Sequence, residues 1–120
     1  MKSHRELKIW QRSFALANVL YSLTEQFPAS QRFSLVYQMQ KAAVSVPSNI
    51  AEGYNRQTRK EYLQFLYIAL GSLAELETQV MIANAQRYIK EPKSSELLDE
   101  ITQIGKMLRT IIIKLKPPKP

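Results

Sequence analysis

The sequence predicts an all-α protein, an up-and-down antiparallel four-helix bundle whose second helix is kinked at Pro47, and three observations carry that prediction. Tyr62, Leu66, Ala69, Leu73, Leu76, Val80 and Ala83 alternate steps of four and three without a break, the apolar seam of a bundled helix. Further apolar stripes at helical spacing lie before and after this one. The chain of 120 residues holds only 3 glycines, and its 6 prolines sit mostly where one stripe gives way to the next. One domain with one core is the expected organisation at this length.

The first helix is expected over residues 5–26. Leu7, Trp10, Phe14, Ala17, Tyr21 and Thr24 form one stripe, with Ile9, Leu16, Leu20, Leu23 and Phe27 beside it, a face wide enough for a bundle. Phe27-Pro28-Ala29-Ser30 then stops the helix and offers Ser30 as the next N-cap. The second helix is expected over 31–54, with Phe33, Val36, Tyr37, Ala43, Val44, Ile50 and Ala51 as its apolar positions. Pro47 falls inside it, where proline removes a backbone hydrogen bond and clashes with the preceding turn. Small residues around it (Ala42, Ala43, Ser45, Ser48, Ala51) allow another helix to come close. Gly53-Tyr54-Asn55 is expected to supply a left-handed residue that ends the helix.

Thr58-Arg59-Lys60-Glu61 is a capping-box signature and opens a third helix over 59–87. Leu63, Phe65, Tyr67, Ile68 and Leu70 fill much of its remaining circumference. A helix apolar nearly all round is buried on more than one side, which implies a subunit interface; a wide core is the alternative. The fourth helix is expected over 95–116, capped by Ser94 or Ser95, with Glu96, Asp99 and Glu100 at the positive end of its dipole. Leu97, Ile101, Ile104, Leu108, Ile111 and Leu115 form its stripe, and residues 117–120 are expected as an exposed tail. The first residues lead into an amphipathic pattern and not into an apolar leader, and no apolar run approaches the roughly 20 residues that cross a bilayer. A cytoplasmic protein without a membrane partner is the expectation.

Two blocks, Ala42-Ala43-Val44-Ser45-Val46-Pro47-Ser48-Asn49-Ile50-Ala51-Glu52-Gly53 and Ile68-Ala69-Leu70-Gly71-Ser72-Leu73-Ala74-Glu75-Leu76-Glu77-Thr78-Gln79, resemble the bacterial four-helix-bundle family of 23S rRNA intervening-sequence proteins. Leu7, Trp10-Gln11, Phe27-Pro28, Gln38, Arg56, Glu61-Tyr62 and Phe65-Leu66 extend the resemblance over nearly the whole chain. It implies a bundle that assembles into a homo-oligomeric ring, usually a pentamer, with no attributed enzymatic activity and no cofactor. It also implies kinship with accessory proteins of diversity-generating retroelements, small basic bundles that bind a reverse transcriptase and nucleic acid. The chain departs from the family pattern in three places. Phe-Gly-Leu reads Phe33-Ser34-Leu35, a basic pair before the alanines reads Gln40-Lys41, and Leu-Gly-Tyr reads Gln86-Arg87-Tyr88.

Catalytic chemistry finds little to use. His4 is the single histidine and cysteine is absent, so Ser45, Ser48 and Ser72 have no base to activate them. Glu52, Glu61, Glu75 and Glu77 lie on helices two and three, but a di-iron bundle needs two Glu-x-x-His motifs and the sequence has none. Asn49, Glu52, Glu75, Glu77 and Gln79 suit polar contacts between helices or subunits, and no phosphate-binding glycine loop is present.

Charge is the informative feature. Net charge is +7, which favours an acidic partner. In an up-and-down bundle the start of helix one, the connection between helices two and three and the end of helix four share one pole. Arg5, Lys8, Arg12, Arg56, Arg59, Lys60, Lys106, Arg109, Lys114 and Lys116 map towards it, with Lys2 and Lys119 beyond them, against Glu6, Glu52 and Glu61. A nucleic-acid-binding pole of little sequence preference is expected, with RNA the first candidate and Tyr54 placed to stack on a base. The alternative is a protein-interaction scaffold with a reverse transcriptase as its partner.

Overall fold

Short connections oblige successive helices to run antiparallel, and the computed structural model, which describes residues 3–117, has this arrangement. Its helices are α1 (Lys8–Thr24), α2 (Tyr37–Tyr54), α3 (Arg59–Ala85) and α4 (Lys93–Leu115), in a body of 50 × 24 × 22 Å. Ile9, Leu20, Met39, Val46, Ile50, Leu66, Leu76, Val80, Ile104 and Leu108 are almost wholly buried along its axis. The expected seam of α3 is buried from Leu66 to Ala83, with Tyr62 half-buried at its start.

The ends of the helices differ from expectation, each for a local reason. Residues His4–Glu6 form a separate 3-10 turn capped by Ser3, and Leu7 is extended (ψ 126°), so α1 begins at Lys8 and not at residue 5. It ends at Thr24 because the amides of Gln26 and Phe27 bond back only three residues, tightening the chain ahead of Pro28. Ser30 does not cap α2. A 3-10 turn (Ala29–Gln31) and a π-helical turn (Arg32–Val36) precede it, and the wider turn leaves Phe33 88% exposed where an apolar core position was expected. Val44 and Tyr37, also expected on the apolar face, are exposed as well. α2 then runs on through a buried Pro47.

Gly53 is helical and buried, and Asn55 ends α2 at φ −90°, so no left-handed residue is used there. Gly53 serves close approach instead: a Cβ on it would lie 2.8 Å from Phe65 Cβ and 3.2 Å from the Tyr62 carbonyl oxygen. The left-handed residue stands elsewhere. Arg87 has φ 64°, and the Tyr88 amide reaches back 2.8 Å to the Ala83 carbonyl, a Schellman-type ending that stops α3 at Ala85, two residues short of the expected boundary. This is the position where the resemblance leads one to expect glycine. α4 starts at Lys93, and neither Ser94 nor Ser95 caps it: both hydroxyls donate to the Glu91 carboxylate, and buried Ser94 also accepts from Asn84 Nδ2.

α2 and α3 are joined by polar groups as well as by packing. The Ser45 and Ser72 hydroxyls are 2.7 Å apart, and Asn49 Nδ2 donates to both the carbonyl (2.8 Å) and the hydroxyl (2.9 Å) of Ser45. The small polar residues of these stretches therefore hold two helices together. α3 is, against expectation, long and apolar enough by composition to cross a bilayer, with mean hydropathy 1.3 over its most apolar 18 residues. Apolar residues outside the core stripe add to the value: Ile68, Met81 and Ile82 are all exposed.

Candidate nucleic-acid interface

One end of the bundle is built from the start of α1, the α2–α3 connection and the end of α4. His4 Nδ1 meets Asn55 Nδ2 at 3.1 Å, which ties the N-terminal turn to the end of α2. Across the connection Thr58 caps α3: its hydroxyl accepts from the Glu61 amide (3.1 Å) and donates to the Glu61 carboxylate (2.9 Å), as the sequence predicts. The cap aims Arg59 and Lys60 outward from the first turn, and both are exposed. Lys114 and Lys116 occupy the last turn and the C-cap of α4, and Arg5 and Lys8 are exposed at the start of the chain. Lys2 and Lys119 lie outside the described residues.

The remaining predicted cations are placed differently. Arg12 is turned onto α4, where Nε donates 3.0 Å to Glu100 Oε2 and Nη2 to the other carboxylate oxygen, while Nη1 reaches Met107 Sδ. That hydrogen-bonded carboxylate raises the guanidinium's pKa, so Arg12 is a fixed interhelical cation and not part of the free charge of the pole. Arg56 is held by Glu52 at 2.8 Å and Glu61 at 3.8 Å, and its guanidinium lies 4.9 Å from the centre of the Phe65 ring. Lys106 and Arg109 stand about 14 and 9 Å short of the end of α4, at 1.5 Å per residue. Arg109 folds back along its own helix, with Nη1 3.2 Å from where a Cβ on Gly105 would be.

Tyr54 does not present a free ring. It packs edge-on against Tyr62 with centroids 6.1 Å apart, and burial, helped by Tyr54, pushes the Tyr62 phenol up. The exposed aromatic of this region is Tyr67, with Lys116 Nζ 5.6 Å from its ring centre. From the sequence Tyr67 reads as part of the apolar girth of α3. The signal that finds it is its place seven residues after Lys60, two turns along one helical face.

A second surface lies between α1 and α2. Trp10 and Phe14 stack at 4.9 Å and, with Ala17, Tyr21, Val44, Pro47 and Ala51, line an apolar groove of about 360 Å³.

The sequence profile of the family described as 23S rRNA-intervening sequence protein matches residues 5–110. The chain belongs to that family. A crystal structure of a protein of unknown function from the S23 ribosomal protein family of Bacteroides thetaiotaomicron is similar, with TM-score 0.81 and 25% identity. The match covers 87% of this chain and 97% of the other. A comparison with curated proteins found no match. Family membership thus covers all four helices up to the last turn of α4, and the basic residues of the pole from Arg5 to Arg109 lie within the matched span.

Proposed function

We propose that this intervening-sequence protein is a non-enzymatic, self-associating bundle that binds nucleic acid, RNA first, through the cations at one end. The observation that supports this reading is the gathering of Arg5, Lys8, Arg59, Lys60, Lys114 and Lys116 from three separate stretches of chain onto one pole. Of the acids at that pole, Glu52 and Glu61 are already engaged with Arg56. Cations left without carboxylate partners attract phosphates, and no element here enters a groove to read bases, so affinity rests on phosphate number.

Self-association is supported by the apolar groove between α1 and α2 and by Ile68 and Ile82 on α3, which leave large side chains in water on a single chain. A ring of parallel copies, as in the pentamer that the resemblance implies, would place all the basic poles on one face. A protein partner such as a reverse transcriptase would use the same groove.

The test is binding of the purified protein to structured RNA, single-stranded RNA and duplex DNA across a salt series. Affinity that falls steeply with salt, with a log–log slope of several units, is the expected result. Failure to bind any of the three at low salt would overturn the reading.

A further inference from the structure

Along the seam where α3 meets α4, a repeat of seven residues stacks three cations and one aromatic ring on a single line. Lys60 and Tyr67 are seven apart on α3, and Arg109 and Lys116 are seven apart on α4, so each pair shares a helical face about 10.5 Å apart along the axis. The helices are antiparallel, which brings Lys116 over Tyr67 and sets Arg109 beside Leu70, Leu73 and Ala74 at a hollow of about 160 Å³. Read from the pole inwards, the line is Lys60, then Tyr67 with Lys116, then Arg109. None of the three cations makes an ion pair with any described residue. Glu77 stands at the inner end of the hollow.

We infer that this seam is a track for single-stranded nucleic acid, in which an unpaired base stacks on Tyr67 while Lys60, Lys116 and Arg109 hold the flanking phosphates. The inference rests on the nucleic-acid reading above and adds to it the strandedness of the ligand and the residue that sets it. Tyr67 is 45% exposed, and the group now over its ring is the end of a flexible lysine, which can leave for a phosphate as a base takes its place. Bases inside a duplex are stacked on one another and cannot reach the ring, so a duplex meets only the cations. The Glu77 carboxylate repels phosphate and limits the track to about 26 Å from Lys60.

The test measures an unstructured oligouridylate and a blunt RNA duplex, each by fluorescence anisotropy, against wild type, Tyr67→Ala, Tyr67→Phe and Lys116→Ala. Tyr67→Ala is expected to weaken oligouridylate binding by roughly tenfold with the salt slope unchanged, and duplex binding by less than about twofold. Tyr67→Phe keeps the ring and is expected to bind as wild type. Lys116→Ala is expected to lower the salt slope by about one on both ligands. Equal affinity of wild type and Tyr67→Ala for oligouridylate, or an equal loss on both ligands, would overturn the track while leaving the basic pole standing. Wild type binding neither ligand at low salt would overturn both.

Discussion

Gly53 lets α2 and α3 approach closely, and replacing it with alanine measures that approach. The added Cβ would sit 2.8 Å from Phe65 Cβ, 3.0 Å from Tyr62 Cδ1 and 3.2 Å from the Tyr62 carbonyl oxygen. Carbon atoms at rest are about 3.5–4.0 Å apart, so a gap of roughly an ångström has to be opened. The Phe65 Cβ and the Tyr62 oxygen are fixed to the backbone of α3, so no side-chain rotation relieves the clash and the helices must part. Alanine for glycine inside a helix gains about 1 kcal/mol, whereas overpacking of this kind costs about 1–3 kcal/mol. Parting α2 from α3 also stretches the Ser45–Ser72 bond, which puts the cost towards its upper end and the net loss at about 1–2 kcal/mol. Thermal unfolding should show a Tm lower by roughly 3–8 °C. Gly71→Ala is the control: nothing lies within 4 Å of its Cβ, so only the helix gain remains and Tm should rise. Gly53→Ala as stable as wild type would refute the close approach.

Three further outcomes follow from the same geometry. Arg87→Gly should raise stability by about 0.5–1 kcal/mol in urea denaturation, because glycine occupies φ 64° without the left-handed penalty that arginine bears. Ser45→Ala should cost about 1–2 kcal/mol by leaving the buried Ser72 hydroxyl unpaired, and the Ser45→Ala/Ser72→Ala double variant should lose less than the sum of the singles. Hydrogen bonds from Ser94, then from Ser95, hold the Glu91 carboxyl below the usual carboxylate range. A depressed carboxyl contributes stability that is present above its unfolded range and is lost as pH falls through the folded value, so Ser95→Ala should lower stability at neutral pH and leave the acid end unchanged, flattening the stability–pH curve between them.

The parts of this fold that are legible in the sequence are those set by local periodicity. The seam from Leu66 to Ala83 and the Thr58–Glu61 cap need only neighbours within a few turns, and both can be read directly. The π-helical turn at Arg32–Val36 has no compositional mark, so the exposure of Phe33 is invisible until the chain is folded. Gly53 and Arg87 exchange expected roles for a related reason. A glycine near a helix end suits either a left-handed cap or a close approach, and only the position of Phe65 decides between them. At the pole, Arg59, Lys60, Lys114 and Lys116 are legible because antiparallel topology fixes the helix ends. The capture of Arg12 by Glu100 joins residues 88 apart in the chain and is settled by packing alone. Tyr67 is hidden among the apolar residues of α3 until Lys116 is seen above it.

The proposed nucleic-acid interface depends most heavily on the free cations of the basic pole, and the salt dependence of RNA binding tests them most directly. The slope of log affinity against log salt should be compared between wild type, a variant with Arg59, Lys60, Lys114 and Lys116 changed to glutamine, and a control with Arg32, Arg87 and Lys90 changed at the opposite end. A slope smaller by about three to four units in the first variant and unchanged in the control is the predicted result. Equal losses from the two ends would mean that the cations act only through net charge, and the pole would no longer be a binding site.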